Sequence, residues 1–548
     1  MSPAQIWAKY NVDSSKLKAK FLRYDSDENF TNFEAYISSD TDSGEDSVLT
    51  YCFGKLPKEG KSATIIYING FSTNVEEKVF EVFASQGYNV VCFDYLGKSS
   101  KKRYTIYPQN LDFANFERCQ SHLCSFVNSP KDSCVFVWSR LLRDIITFVK
   151  DLLGQQQKIY LLSSAEGGNI LWQVAGMDKR VDAVLVASNA GWAECKGIFK
   201  YSSSPDEYNF SDDKIKFISA CAPQSYAKFV TCPVFYVSGT NSNLTSIDRV
   251  ENTLALTQNN KQNHTFFCAN LTNTLSNRAR NAMRIWLDNI YSGNALPKTP
   301  SISFAIDDNK LVVKTEFDNF GEVESLELYY SYNEANSELR HWNKVFLSTA
   351  SPVTEIPVRI DDIRVFAFSS IIYKDGQCYS SLPKMFDLQN TQNQAIDRIV
   401  PKRSHIIYER KLGTNPWVVD DSTSEFHAPE LKAGAYDIMG ITSEAGNLST
   451  YILGDSFLES NEESILQFDC YCEKSRSLVV ELCVESDKAK YEFYTATVSV
   501  QGGEWQKIAL HHTDFKTKER VPLKNWDNVK KLSFVDIDNT LISNLIWI

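Results

Sequence analysis

The sequence predicts an α/β domain with a doubly wound, mostly parallel sheet, followed by two all-β sandwich domains. Three observations predict this. From about residue 60 to 291, short β-branched runs alternate with amphipathic helical stretches, the pattern of buried parallel strands joined by helical crossovers. After NALPKTPS at 294–301 the helical signal largely stops. From there to residue 548 the chain alternates in short strands separated by polar stretches, as sandwiches do.

The elements follow in order. Residues 21–60 hold three strand-like runs with no helix between them, which suits an antiparallel lead-in. Strands are expected at 63–69, 88–94, 159–163, 182–188, 232–238 and 264–268, and the clearest helices at 138–153 and 276–291. Residues 196–230 read as a polar insertion over one sheet edge, a lid candidate. The boundaries expected are 1–295 for the α/β domain, 296–392 for an immunoglobulin- or fibronectin-like sandwich without a site of its own, and 393–548 for a jelly roll.

Composition narrows the function. With 57 basic and 68 acidic residues the formal net charge is −11, and no basic stripe is available to neutralise nucleic-acid phosphates. The N-terminal stretch lacks a signal-peptide core. Runs such as ATIIYI and VDAVLVA fall short of the ~20 residues that span a bilayer, so a cytoplasmic chain without a membrane span is expected. Five of the thirteen cysteines, Cys52, Cys92, Cys134, Cys232 and Cys268, sit in strand-like runs and read as small buried hydrophobes. No CxxC pair or Cys/His cluster has zinc-ligand spacing, Cys470-Tyr471-Cys472 being the nearest approach. Neither metal nor cofactor is expected.

The segment that should carry chemistry is 159–173, IYLLSSAEGGNILWQ, where a strand enters a tight small-residue turn and a helix starts at once. Such a strand–turn–helix with G-x-S-x-G is a nucleophile elbow. Here Gly167 and Gly168 take the closing positions, Ser163 the first small position, and the nucleophile position falls on Ala165.

With that register, residues 20–291 resemble the acetyl-xylan-esterase and cephalosporin-C-deacetylase branch of the α/β-hydrolases. The resemblance rests on YINGF, GYNVVCFDYLG, YPQNLDFANFERC, the elbow with Trp172-Gln173, VASNAGW at 186–192 and SGTN at 238–241. It implies the α/β-hydrolase fold. It also implies an acid after the SGTN strand, where Ser242 stands, and a histidine before the last helix, where Asn273 or, less favoured, Asn270 stands. The histidine usual beside the oxyanion turn is Asn69, next to Gly70. Ala165 offers no nucleophile, Ser242 cannot hold an imidazolium, and Asn273 cannot take a proton. An engineered Ser→Ala trap would account for Ala165 alone.

The leading expectation is therefore a catalytically silent homologue, a pseudoenzyme with a binding or assembly role, its candidate ligands glycans or acylated glycoconjugates. One alternative is an active carbohydrate deacetylase or acyltransferase with a relocated triad of Ser164, Asp248 and His264. Another is a carbohydrate-binding protein on an inert scaffold. Asn69, Gly70, Glu166, Tyr107 and Trp192 are the ligand-binding candidates, with Tyr104 also lining the acyl pocket in the family register. Each has a plainer role open to it: Glu166 as a solvated elbow residue, the aromatics as packing. Asp94 either meets ligand or caps the loop after its strand. His341-Trp342 and His511-His512 stand as lone pairs without a metal constellation. The last domain is similar to carbohydrate-binding jelly rolls, through Gly502-Gly503-Glu504-Trp505, HTDF and LISNLIWI. Its candidate sugar platforms, Trp417, Tyr451, Tyr494 and Trp526, could equally fill the sandwich core.

Overall fold

The computed structural model describes residues 1–8, 10, 17–40, 47–71, 77–98, 103–119, 123–201, 210–258, 262–318, 320–391, 395–420, 426–486 and 490–548. Nine strands form the first sheet: β1 Lys18–Ser26, β2 Phe30–Asp40, β3 Ser47–Pro57, β4 Ala63–Ile68, β5 Asn89–Phe93, β6 Lys158–Ser164, β7 Val181–Ala187, β8 Val234–Gly239 and β9 His264–Cys268. Their spatial order is β1-β2-β3-β5-β4-β6-β7-β8-β9. β1 to β3 pair antiparallel and β3 meets β5 antiparallel, whereas β5, β4 and β6 to β9 run parallel. From β2 onward this is the strand order of the α/β-hydrolase fold, with β1 as an added edge.

The helices are α1 Pro3–Trp7, α2 Glu77–Ala84, α3 Phe116–Cys119, α4 Cys134–Leu153, α5 Gly168–Met177, α6 Asp212–Cys221, α7 Pro223–Tyr226, α8 Ile247–Leu254 and α9 Asn277–Ser292. Successive strand residues point to opposite faces, and the two faces carry separate cores. Ile66, Ile68, Leu161 and Val186 pack with α4, α5 and α8. Ile65, Tyr67, Leu162 and Leu185 pack with α2 and α9. With both faces covered, β4 is buried at every position, which is why the central strands read as unbroken apolar runs. Edge strand β1 is exposed almost throughout, and its three lysine and arginine residues keep that edge from pairing further.

One expectation is corrected. Cys134 is not on a strand: it opens α4, because the Ser133 hydroxyl caps the helix by accepting the Phe136 N–H at 3.3 Å. The described part of 196–230 includes α6 and α7, whose Phe217 and Tyr226 pack with Ile6, Trp7 and Phe136. There it is a piece of the helical layer. Residues 202–209 of that stretch lie outside the described residues.

Beyond Gly293, which ends α9 in the left-handed conformation, come β10 Ser301–Asp307, β11 Lys310–Glu316, β12 Val323–Tyr332, β13 Asn343–Leu347, β14 Val353–Ile356, β15 Val358–Arg359, β16 Arg364–Tyr373, β17 Cys378–Ser380 and β18 Lys384–Asp387. Sheets β10-β11-β14 and β13-β12-β16-β17 share one core, with Val313 and Ile356 from one side and Leu328 and Val365 from the other. The expected boundary at 392 falls on residues outside those described. The C-terminal region forms two further, largely antiparallel sheets over a core of its own. Trp417, Tyr451, Tyr494 and Trp526 are all buried. They fill cores and stand as no surface platforms.

The units interlock. β17 lies along edge strand β9, where the Ser380 hydroxyl accepts the Phe267 N–H at 3.0 Å and the Thr265 hydroxyl donates to the Ser380 carbonyl at 2.5 Å. Thr272 donates to Asp420 of the C-terminal region at 2.9 Å. Among the described residues, no helix is long and apolar enough to cross a membrane, and no group of three His, Cys, Asp or Glu side chains is placed to hold a metal ion.

Candidate functional site

In a parallel sheet, ligands bind outside the carboxyl ends of the strands. Three loops leave the sheet at that end: the elbow after β6, the turn after β8 and the loop after β9. Ala165, at the elbow, has φ 48°, a left-handed conformation costing a non-glycine residue about 1–2 kcal/mol. The strained turn of a nucleophile elbow is thus present, with a methyl group at its apex.

Around the apex the neighbouring polar groups are engaged. Ser164 Oγ lies 3.0 Å from the Tyr67 hydroxyl and accepts the Gly70 N–H at 3.2 Å. The half-buried Glu166 is tied down as well: its Oε2 accepts the Phe71 N–H at 3.1 Å. The approach is close, because a Cβ on Gly70 would lie 2.8 Å from Ala165 Cβ and 2.9 Å from Glu166 Oε2. Two successive backbone donors of the turn after β4 are therefore held by the chain's own side chains.

Ser242 and Asn273 come together: the buried serine hydroxyl donates to Asn273 Oδ1 at 2.8 Å, and the Asn273 amide donates to Asn243 Oδ1 at 2.8 Å. Gly239 makes this possible, since any Cβ there would run into the carbonyl oxygens of Leu271 and Thr272. Asn270, in the left-handed region at φ 61°, faces elsewhere. It brackets Trp342, accepting its N–H at 2.7 Å and donating to its carbonyl at 3.1 Å.

Ser164, Asp248 and His264 are not brought together. Ser164 is level with Ala187, Val237 and Phe266 across the sheet. His264 is two residues back on β9, three strand spacings away, or about 14 Å sideways. Its Nε2 faces the Pro297 carbonyl at 2.9 Å, and its Nδ1 accepts the Trp286 indole N–H at 3.1 Å. Burial holds its pKa below the usual histidine value. Asp248 is committed to Arg340, with both oxygens 2.6 Å from guanidinium nitrogens.

The remaining candidates serve the loops. The Tyr107 hydroxyl donates to the Tyr95 carbonyl at 2.5 Å, and the Tyr95 hydroxyl to the Asn69 carbonyl at 2.5 Å, tying the 105–107 segment to the turn after β4. The Asn69 amide donates to the Gly70 carbonyl at 3.0 Å. Trp192 donates from its indole to Thr253 on α8 at 3.0 Å, and Arg249 lies over its ring. Tyr104 is half exposed. Asp94 caps its loop, accepting N–H groups of Leu96 and Thr105 at 3.1 and 2.8 Å. Burial raises its pKa against those bonds.

Sequence reasoning missed two contributors. Phe71 acts through its backbone, and its position right after Gly70 was the only available signal. The middle sandwich contributes residues 336–342, which settle on the loops after β8 and β9: Asn241 donates to the carbonyls of Glu338 and Arg340 at 3.0 and 2.9 Å. Nothing local in the sequence announces that contact.

No protein-family profile matches the chain, and no curated protein does. Among solved structures it is similar to acetyl xylan esterase 1 of Thermoanaerobacterium sp. JW/SL YS485, with 12% identity, TM-score 0.37, and coverage of 52% of this chain and 93% of that one. It is also similar to the acetyl xylan esterase of Paenibacillus sp. R4, with 11% identity, TM-score 0.37, and coverage of 52% and 91%. A cold-adapted esterase from an Arctic intertidal metagenomic library shows 14% identity, TM-score 0.32, and coverage of 50% and 94%. The fold assignment rests on the strand order and the elbow.

Proposed function

We propose that this chain is a catalytically silent relative of acetyl-esterase-type α/β-hydrolases that serves in binding or assembly, with glycans or acylated glycoconjugates as its ligand class. The observation that carries the reading is the Glu166 carboxylate on the Phe71 N–H. Acyl transfer through a tetrahedral intermediate needs preorganised donors aimed at a developing oxyanion. Here a fixed negative charge takes such a donor. A second negative charge about 4 Å away would be repelled by about 4 kcal/mol at an effective dielectric of 20, roughly a thousandfold in rate. Ala165 supplies no hydroxyl, and the Ser242–Asn273 pair supplies neither base nor acid.

The assembly half of the reading draws on the middle sandwich. The loops that carry acid and base in a working esterase are here the seat of residues 336–342, through Asn241 and the carbonyls of Glu338 and Arg340. The test is direct. Purified protein should hydrolyse p-nitrophenyl acetate no faster than buffer, and a serine-directed fluorophosphonate should leave it unlabelled. Enzyme-like turnover together with labelling overturns the proposal. Saturable binding on a glycan array by the full chain would support the ligand class, and silence across the array would remove it.

A further inference from the structure

Cys119, Cys124 and Cys134 follow one another across the join between α3 and α4. Cys124 is exposed, whereas Cys119 and Cys134 are buried in one core. Packing brings the two buried thiols together. Cys134 and Trp138 stand one helical turn apart, so they share a face of α4. That face lies on the segment leading into α3, where the Trp138 indole N–H donates to the Ala114 carbonyl at 2.8 Å. The thiols of Cys119 and Cys134 are hydrogen-bonded to each other. Cys119 Sγ also lies 3.5 Å from the Phe116 carbonyl oxygen. Two sulfurs already in contact meet the first geometric requirement of a disulfide.

The contact makes the two thiols unequal. The hydrogen bond lowers the pKa of Cys119, whose thiolate accepts it, and raises that of Cys134, which keeps its proton. Burial instead pushes other core thiols up, Cys52 and Cys268 among them. A thiol eased toward its thiolate beside a resolving thiol is the arrangement that supports reversible oxidation. Since both sulfurs are buried, the oxidant has to be about as small as water.

We infer that Cys119 and Cys134 form a disulfide switch driven by hydrogen peroxide. The Cys119 thiolate attacks one peroxide oxygen and becomes a sulfenic acid. The hydroxide released takes up the proton that Cys119 had shed and leaves as water. The Cys134 sulfur then displaces the sulfenic oxygen, which departs with the Cys134 proton as a second water. Two thiols and one peroxide thus give one disulfide and two waters, and an external dithiol reverses the bond. The disulfide ties α3 to the start of α4. It thereby locks the segment whose Phe116 ring packs on Phe71 at 5.1 Å, the residue whose N–H Glu166 holds. The switch does not depend on whether the elbow is silent.

The test treats the full chain with hydrogen peroxide, caps free thiols with N-ethylmaleimide and digests with trypsin without reductant. Mass spectrometry should find peptide 119–131 linked to peptide 132–140, and dithiothreitol should release the pair. The first peptide carries both Cys119 and Cys124, so the exposed residue is changed. In Cys124→Ser that peptide has a single cysteine, and its link to 132–140 identifies the bond with the buried pair intact. Oxidation should also raise the melting temperature of Cys124→Ser by several degrees, because the bond closes a loop in the unfolded chain. Cys119→Ser should form no link and show no such rise. The inference is overturned if peroxide leaves Cys119 and Cys134 unlinked in Cys124→Ser, if Cys119→Ser still links the two peptides, or if oxidation does not raise the melting temperature of Cys124→Ser.

Discussion

Arg340 and Asp248 form a bidentate ion pair in the interior, Nη1 to Oδ1 and Nη2 to Oδ2 each 2.6 Å apart, with side chains 0% and 1% exposed. The pair links the middle sandwich to α8 of the first domain. The guanidinium also donates to the carbonyls of Glu334 and Ala335 at 2.8 and 3.1 Å and lies over the Phe366 ring.

Removing one member leaves an uncompensated buried charge, so Arg340→Met should destabilise by about 3–5 kcal/mol. The double variant Arg340→Met with Asp248→Leu should recover much of that loss. Chemical denaturation of the parent, single and double variants measures the coupling. Additive losses would show that the two groups act independently.

At the elbow, Ala165→Gly should stabilise the protein by about 0.5–1 kcal/mol, because glycine takes positive φ without penalty and offsets only part of the gain through its freer unfolded state. A fall in the denaturation midpoint would contradict the strain assigned to Ala165.

Restoring a hydroxyl alone should achieve nothing. Ala165→Ser is expected to leave p-nitrophenyl acetate hydrolysis at the buffer rate, since no imidazole stands at Asn273 and Glu166 still holds the Phe71 N–H. Rates rising above the parent by a hundredfold, the scale of one catalytic group, would mean a base reaches that hydroxyl after all.

His264 makes stability pH-dependent. Protonation would place a hydrogen on Nδ1, where the Trp286 indole N–H is already pointing, and burial disfavours the charged ring in any case. The folded pKa lies below the unfolded value of about 6.5, so the unfolded chain takes up more protons as pH falls. Stability present above about pH 6.5 should drop as pH goes below it. Denaturation midpoints measured from pH 7.5 to 5 check the sign, and His264→Gln should flatten this part of the dependence.

All thirteen cysteines are free, and Cys124 is the exposed one. Ellman's reagent should therefore titrate one thiol quickly in the native protein and thirteen in guanidinium chloride. Burial raises several of the others, Cys221 and Cys232 to about 12, which further suppresses their thiolates. Several fast-reacting native thiols would show that the core cysteines are accessible.

Much of the first domain was legible because its causes are local. Strands β4 to β9 were expected within two residues of their observed ends, since burial on both faces writes an unbroken apolar run into the sequence. The elbow was visible for the same reason: its small residues answer a close approach between neighbours in the chain. The C-terminal aromatics could not be assigned this way. Alternation tells which residues share a face, and it does not tell whether that face meets core or solvent.

By itself, then, the sequence determined the doubly wound sheet, the order of its elbow and loops, and the absence of a hydroxyl at residue 165. Tertiary structure alone decided that Asp248 serves Arg340, 92 residues away, that Glu166 holds the Phe71 N–H, and that the His264 ring accepts the Trp286 indole N–H. The physical reason is the range of the forces involved. Periodicity records which side of an element must leave water. The partner of a buried charge is set by which distant segment folds onto it.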